Sequence, residues 1–235
     1  MNYLIIIGII GLLILVHELG HFICAKLAGI PIAVFSIGFG PKIIRWKRKE
    51  TEYCISLIPL GGYILPLVKD EKEFFQIQTG KRIIFSIGGP LANIFISLFF
   101  LFVLNVVTFG TSFNLMRPFF ELADTFAKIA FSIPQLFTSP EKLSGIVGIV
   151  NMGGQFISSS FINAIRVLIS LSLNLAVFNL LPIPALDGGK IILYLLEKIH
   201  PKLLKIQMPM TIAGWMLIFG LMIYATFNDI SKIFA

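Results

Sequence analysis

The chain has 235 residues, of which 57 % are hydrophobic and 13 % are charged, and its mean hydropathy is +0.92. Soluble domains carry about 25 % charged residues, and a water-soluble protein of this size could not bury so much apolar surface. The composition therefore excludes a soluble protein and predicts an α-helical integral membrane protein. The net charge of +7 comes from basic residues grouped between apolar segments, so we expect no nucleic-acid partner.

Four segments are long and apolar enough to cross a bilayer, which takes about 20 residues. We expect transmembrane helices over residues 3–28, 83–110, 167–186 and 206–228, within one domain covering residues 1–235. The N-terminus lacks a basic region and a small-residue cleavage site, so the first segment is interpreted as a retained helix and not as a signal peptide. A weaker apolar run over residues 145–161, rich in glycine and serine, is expected to pack or lie at the interface.

The first span contains the most informative motif of the chain, His17-Glu18-Leu19-Gly20-His21. Positions i and i+4 share a helix face, so His17 and His21 can reach one metal ion, while Glu18 can point at a water on that metal. This spacing is typical of zinc hydrolases. The alternative is a chance match with the histidines satisfied by neighbouring helices, but ionisable groups are rare in membrane spans without a function.

The segment between the first two spans is β-prone and not helical. Glycines and prolines interrupt it at residues 38–41 and 59–63, and the stretches 53–58 and 63–65 are rich in β-forming residues. We predict strands over residues 31–68 that form a membrane-reentrant β-loop, because non-helical backbone at membrane depth needs protein or a wet cavity beside it. A small soluble hairpin on the cytoplasmic surface is the alternative.

The basic residues predict the orientation of the spans. By the positive-inside rule, the first and third loops face the cytoplasm and both termini face outward. Nine basic residues lie in the first loop and four in the third, at Lys42, Arg45, Lys47, Arg48, Lys49, Lys69, Lys72, Lys81, Arg82, and at Lys190, Lys198, Lys202 and Lys205. The segment between the second and third spans contains Arg117, Lys128, Lys142 and, directly before the third span, Arg166.

A catalytic zinc site needs three protein ligands and an open position for water. Asp187 is favoured as the third ligand because it is expected at the same depth in the membrane as the two histidines. The histidine motif ends about 8 Å of helix before Lys26, and Asp187 lies near the inner end of the third span, just before Lys190. Asp187 could instead cap a helix over residues 188–199.

Other candidate ligands are weaker. His200 precedes a proline in a polar loop, and Cys24 is more typical of a small packed hydrophobe. The two cysteines, Cys24 and Cys54, predict neither a disulfide nor a Cys-x-x-Cys metal site.

Three asparagines, Asn93, Asn174 and Asn179, lie in apolar segments and must find hydrogen-bond partners. Each could bond a neighbouring helix, or could orient substrate and stabilise an oxyanion. Asn179 fits both interpretations, and Asn93 favours the interhelical bond.

Together these motifs resemble the site-2 protease family of intramembrane zinc metalloproteases, and within it the bacterial regulator-of-sigma-E protease branch. The resemblance rests, in chain order, on residues 17–21, 38–41, 59–63, 89–93 and 174–189, and residues 143–145 resemble the stretch before the third span.

The resemblance implies that Zn²⁺ is bound by His17, His21 and Asp187, with Glu18 as general base. It also implies that substrate contacts Asn174 and Asn179, and that the β-loop over residues 53–66, including Gly61, Gly62 and Tyr63, adds the substrate as an extended strand, with Ile55 or Ser56 at its exposed edge. The implied function is regulated intramembrane proteolysis in the bacterial cytoplasmic membrane, with the active site toward the cytoplasm. Implied substrates are membrane proteins such as anti-sigma factors or remnant signal peptides; the oligomeric state is left open.

One departure from that branch is large. Its members usually carry PDZ domains between the second and third spans, but residues 111–165 are too few for one. Two alternatives to a protease are a membrane protein that binds or transports metal and an inactive relative that only binds transmembrane helices. Glu18 distinguishes a protease from a metal transporter, since a transporter needs no base beside its ligands.

Overall fold

The computed structural model describes residues 2–138, 144–157, 160–200 and 204–234. Eight helices and two long strands are assigned in these parts of the chain. In chain order they are α1 (Asn2–Leu27), β1 (Ile32–Arg48), β2 (Thr51–Pro66), α2 (Glu71–Gln76), α3 (Thr79–Phe109), α4 (Arg117–Thr138), α5 (Ile146–Ile157), α6 (Phe161–Asn179), α7 (Asp187–Ile199) and α8 (Leu204–Phe234).

Four of the described helices are long and apolar enough to cross a membrane: α1, α3, α6 and residues 207–232 of α8. The prediction of a helical multi-pass membrane protein is thereby confirmed. Helix α5 has 12 residues and is too short to span, as expected for the weaker apolar run. Lys142, Lys202 and Leu143 lie outside the described residues.

The third span differs from its expected bounds of 167–186. Helix α6 begins at Phe161, where the hydroxyl of Ser160 accepts a hydrogen bond from the Ile162 amide at 3.1 Å. It ends at Asn179 because Pro182 and Pro184 cannot continue a helix. The earlier start places Arg166 inside the span, and the earlier end makes Asp187 the first residue of α7.

Strands β1 and β2 form the one sheet in the described residues, and their register shifts at several points. Residues 34–37 of β1 pair with residues 62–65 and also with residues 52–55 of β2, while residues 42–48 pair with residues 51–56. The strands predicted over residues 31–68 are therefore present. Whether this sheet enters the membrane remains a prediction.

Glycines set the distance between α1 and α3. A Cβ atom on Gly20 would lie 2.3 Å from the Gly88 carbonyl oxygen, and one on Gly88 would lie 2.5 Å from the Gly20 carbonyl oxygen. Backbones this close are typical of helices that cross in membranes. On the other face of α3, the Asn93 carbonyl accepts a 2.8 Å hydrogen bond from Ser172 of α6. Helix α3 is therefore held between α1 and α6.

Helices α4 and α5 fill the segment between the second and third membrane helices. Leu122, Phe126 and Ile129 of α4 pack on a buried apolar cluster formed by α3 and α6. Asp229 of α8, which is 5 % exposed, accepts a 2.7 Å hydrogen bond from the Gly148 amide at the beginning of α5. Both helices are thus packed against the membrane helices.

Candidate metal centre

His17, His21 and Asp187 lie together and are all buried. The two Nε2 atoms are 3.2 Å apart, and Oδ2 of Asp187 is 3.2 Å from Nε2 of His17 and 3.0 Å from Nε2 of His21. Three ligands of a tetrahedral zinc ion, each about 2.0–2.2 Å from the metal, present nearly this spacing to one another. Two imidazoles and a carboxylate also form a donor set that zinc favours, so the residues fit the ion.

The far side of each imidazole meets α3. Nδ1 of His21 lies 2.7 Å from the Phe85 carbonyl oxygen, so Nδ1–H donates there and Nε2 is left for the metal. His17 Nδ1 lies 3.2 Å from the side-chain amide of Asn93. With Asn93 Oδ1 turned toward His17, the amide oxygen accepts from Nδ1–H. The opposite orientation leaves Oδ1 buried without a partner.

Asp187 uses its two oxygens differently. Oδ2 faces the histidines, and Oδ1 accepts a 3.1 Å hydrogen bond from the Lys190 ammonium. Burial by itself would raise the pKa of Asp187, but the close contacts with the His17 and His21 rings and the Lys190 charge hold that pKa well below its usual range. The carboxylate is therefore ionised, as a metal ligand must be.

The alternative that Asp187 is a helix cap is wrong. Leu186 occupies the cap position of α7, and no side-chain cap hydrogen bond is formed there. The sharp turn before Asp187 depends on the next two residues. A Cβ on Gly188 would lie 2.2 Å from the Leu180 carbonyl oxygen, and one on Gly189 would lie 2.0 Å from the Ile183 carbonyl oxygen.

Gly89 allows α3 to pass beside the imidazoles. A Cβ there would lie 2.4 Å from Nε2 of His21 and 2.6 Å from Nε2 of His17. A larger residue would occupy the space beside the two Nε2 atoms that would hold a metal ion.

Glu18 lies at the border between the helices and the sheet. It is half-buried, and its side chain contacts β2, since a Cβ on Gly62 would lie 2.9 Å from the Glu18 Cγ. Gly61, at φ +130°, provides the turn before this contact, and Tyr63 stacks on Phe39 with ring centroids 6.2 Å apart. The predicted substrate residues of the β-loop are thus brought next to the predicted base.

The open edge of the sheet, where substrate is expected to bind, does not lie at Ile55 or Ser56. Ile55 pairs with Ile37 on one side and with Ile44 on the other, so it lies inside the sheet. Ser56 is buried and bonds the Ser36 hydroxyl at 3.2 Å. In the described register, residues 62–66 have a partner on one side alone, and they form the open edge nearest to Glu18.

The two other predicted substrate residues bond their own helix. Nδ2 of Asn174 donates to the Ser170 carbonyl and Nδ2 of Asn179 to the Leu175 carbonyl, both at 2.9 Å. Asn179 also lines a largely apolar cavity of about 420 Å³ between the α6–α7 loop and α8. Cys24 packs against Gly88, and neither Cys24 nor His200 belongs to the metal-ligand group found in the described residues.

Asn93 forms the interhelical hydrogen bond that the sequence favoured, and its partner is the predicted ligand His17. A second positioning contact was not expected from the sequence. Arg82 was counted as a loop cation, yet it is 1 % exposed and forms a 2.8 Å ion pair with Glu197. That ion pair connects α3 to α7, the two helices that orient His21 and Asp187. In the sequence, the polarity of Asn93 within a span indicates its contact, whereas nothing indicates the Arg82–Glu197 pair.

Comparisons with known proteins identify the family of the chain. A family model described as Peptidase family M50 matches residues 5–223. Two similar proteins are named as zinc metalloproteases. One of Clostridium acetobutylicum is 25 % identical in an alignment 330 positions long, which covers 97 % of each chain. One of Fusobacterium nucleatum is 26 % identical in an alignment 338 positions long, which covers 100 % of each chain. A third, of Campylobacter jejuni, is 25 % identical in an alignment 351 positions long, which covers 99 % of this chain and 94 % of the relative.

Proposed function

The chain belongs to peptidase family M50, the site-2 protease family, and is a zinc metalloprotease with several membrane helices; we propose that it hydrolyses peptide bonds within or beside transmembrane segments of other proteins. The observation that carries this proposal is the position of the metal centre. His17 and His21 lie inside an apolar helix long enough to span a bilayer, and Asp187 meets them there.

In the proposed mechanism, His17, His21 and Asp187 hold the zinc ion. Zinc in such a site lowers the pKa of water toward about 7 and polarises a carbonyl group. Glu18 accepts a proton from the attacking water and passes it to the leaving amine, as a general base and then a general acid. Its place directly after His17 and the contact of its side chain with β2 support this role.

The substrate is proposed to bind as an extended strand along residues 62–66. Main-chain hydrogen bonds to this edge hold a segment largely independently of its side chains. The contact between Gly62 and Glu18 places the edge beside the base. The apolar cavity at Asn179 offers space for substrate side chains, and with it a role for that amide in orienting the peptide.

The proposed setting is the bacterial cytoplasmic membrane, with both termini outside and the metal centre toward the cytoplasm. The support is the concentration of basic residues in the first and third loops. Labelling of single cysteines from each side of the membrane tests the orientation, and exterior labelling at position 47 would contradict it. Membrane-anchored regulators and remnant signal peptides are the proposed substrates.

The decisive experiment uses purified protein and a model transmembrane peptide. Glu18→Gln should lower the cleavage rate by about 10²-fold or more, while zinc content by metal analysis stays at one ion per chain. Glu50→Gln, at an exposed turn of the sheet, is the matched control and should cleave normally. Loss of zinc in Glu18→Gln would make Glu18 a ligand. A wild-type protein that binds zinc and cleaves no membrane peptide would favour the metal-binding alternative.

A further inference from the structure

Arg166 is a cation inside a candidate membrane span. It lies about 8 Å along α6 from Phe161, and in the parts of the chain that the structure describes it has neither a carboxylate at ion-pair distance nor a hydrogen-bond partner. An ionisable residue in a span is costly without a partner and marks a functional site. The described residues therefore leave Arg166 available to an anion that they do not themselves supply.

A polar cavity of about 220 Å³ lies beside Arg166, between α3, α4 and α6. Its charged lining consists of Arg166, Arg117 and Glu121, and Arg117 is already paired with Glu121 at 2.7 Å. Arg166 thus gives the cavity an excess positive charge. Asn105, which is 2 % exposed, also lines it, and its Oδ1 has no hydrogen-bond partner.

Almost all buried polar groups in folded proteins are hydrogen-bonded, so a buried amide with an unpaired atom is unusual. Oδ1 of Asn105 is an acceptor and cannot bond an anion, whereas the NH₂ group of the same side chain can donate to an oxygen in the cavity. A guanidinium and an amide together suit an oxyanion with several acceptor atoms, above all a phosphate group.

An apolar groove of about 560 Å³ meets the polar cavity at Arg166. It runs between α5 and α6, and Arg166 lines both spaces. The apolar lining of the groove is formed by Ile149, Met152, Phe156, Val167 and Leu171. The two neighbouring spaces together are amphipathic, because an apolar groove and a positively charged polar pocket share Arg166 in their linings.

We propose that this space binds one membrane phospholipid, with its phosphate against Arg166 and Asn105 and one acyl chain between α5 and α6. The site lies at the end of the domain where α3 ends and α6 begins, which is where a headgroup would be found. The bound lipid would bridge α5 and α6, and its chemistry is independent of the zinc site.

The proposal is tested on the full chain purified in detergent, by native mass spectrometry with phosphatidylglycerol. Diacylglycerol with the same acyl chains, which lacks the phosphate, and inorganic phosphate serve as the comparison ligands. Phosphatidylglycerol should be retained and diacylglycerol should not. Arg166→Gln should weaken phosphatidylglycerol binding about fivefold, the effect of one basic residue near a lipid phosphate, and Arg166→Lys should retain most of it.

Arg48→Gln at the exposed end of β1 is the matched control and should bind lipid as the wild type does. Leu171→Trp, which fills the groove, should also lower retention while zinc content shows that the protein is folded. Equal retention of both lipids, or no effect of Arg166→Gln, would overturn the proposal. Displacement of the lipid by millimolar inorganic phosphate, or by a peptide carboxylate, would overturn it too, by assigning the pocket to a free anion or to substrate.

Discussion

The metal centre and the sheet lie next to each other at Glu18, yet they are built in opposite ways. At the crossing of α1, α3 and α7, the proposed ligands are buried and their outer atoms contact Phe85, Asn93 and Lys190. In the sheet, residues 40–48 are exposed and residues 62–66 have an open side. Close packing fixes the side chains at the helix crossing, whereas the sheet edge leaves backbone N–H and C=O groups without a strand partner in the described residues.

This difference fits the two tasks of a protease. Bond cleavage needs ligands and a base held in a fixed geometry, which close helix packing provides. Binding of many sequences needs an adaptable surface that reads the backbone, which a strand edge provides. The comparison predicts that small changes at the helix crossing act on zinc, and that changes at the sheet edge act on substrate.

The largest effect is expected from a single methyl group at the helix crossing. Gly20→Ala places a Cβ 2.3 Å from the Gly88 carbonyl oxygen, so α1 and α3 must separate. We expect a loss of stability of about 1–3 kcal/mol and a clear fall in zinc content. Thermal unfolding and metal analysis measure both quantities.

Gly8→Ala is the control on the same helix, because a Cβ there meets nothing within 4 Å. It should leave stability and zinc content unchanged. If both variants behaved like the wild type, the close crossing would not be what holds the metal centre.

Asp187→Ala should lower zinc occupancy and cleavage together. The substitution leaves two histidine ligands, which is fewer than a catalytic zinc site uses. Asp124→Ala is the control, since Asp124 lies on the exposed face of α4 and pairs with Lys128. Normal zinc content and normal cleavage in Asp187→Ala would show that the metal is bound elsewhere.

Lys190→Met should weaken zinc binding about 10- to 100-fold, the usual effect of losing a partner of a metal ligand. Lys190 holds Oδ1 of Asp187 and so directs Oδ2 toward the histidines. Lys190→Arg should restore most of the affinity, measured by competition with a chelator. Lys198→Met, exposed on the same helix, should not change it; equal affinities for all three variants would exclude this positioning role.

The sequence predicted those parts of the molecule that depend on local spacing. The i, i+4 spacing of His17 and His21 put them on one helix face, and basic residues at both loops placed Asp187 at the same depth. The structure brings the three together. Their roles as ligands, and that of Glu18 as base, remain proposals that metal analysis can test.

The parts that were missed depend on contacts between distant segments. Helix α4 has no continuous apolar run because Arg117, Glu121, Asp124 and Lys128 recur at helical spacing and form its exposed face. The open edge was expected at Ile55 or Ser56. In the structure the first half of β1 lies between the two halves of β2, so the second half of β2 is outermost. A β-prone stretch cannot reveal that order by itself.

The smallest predicted effect lies at this open edge. Along residues 62–66, successive N–H groups point alternately toward β1 and away from it. Proline removes one N–H, so Tyr63→Pro and Ile64→Pro should differ in kind. The variant whose N–H faces outward should lose one hydrogen bond to substrate, which lowers kcat/KM about fivefold and leaves zinc content unchanged. The variant whose N–H faces β1 should lose stability instead. Thermal unfolding, zinc content and cleavage rates of both variants separate these results, and identical behaviour of the two would argue against strand addition at this edge.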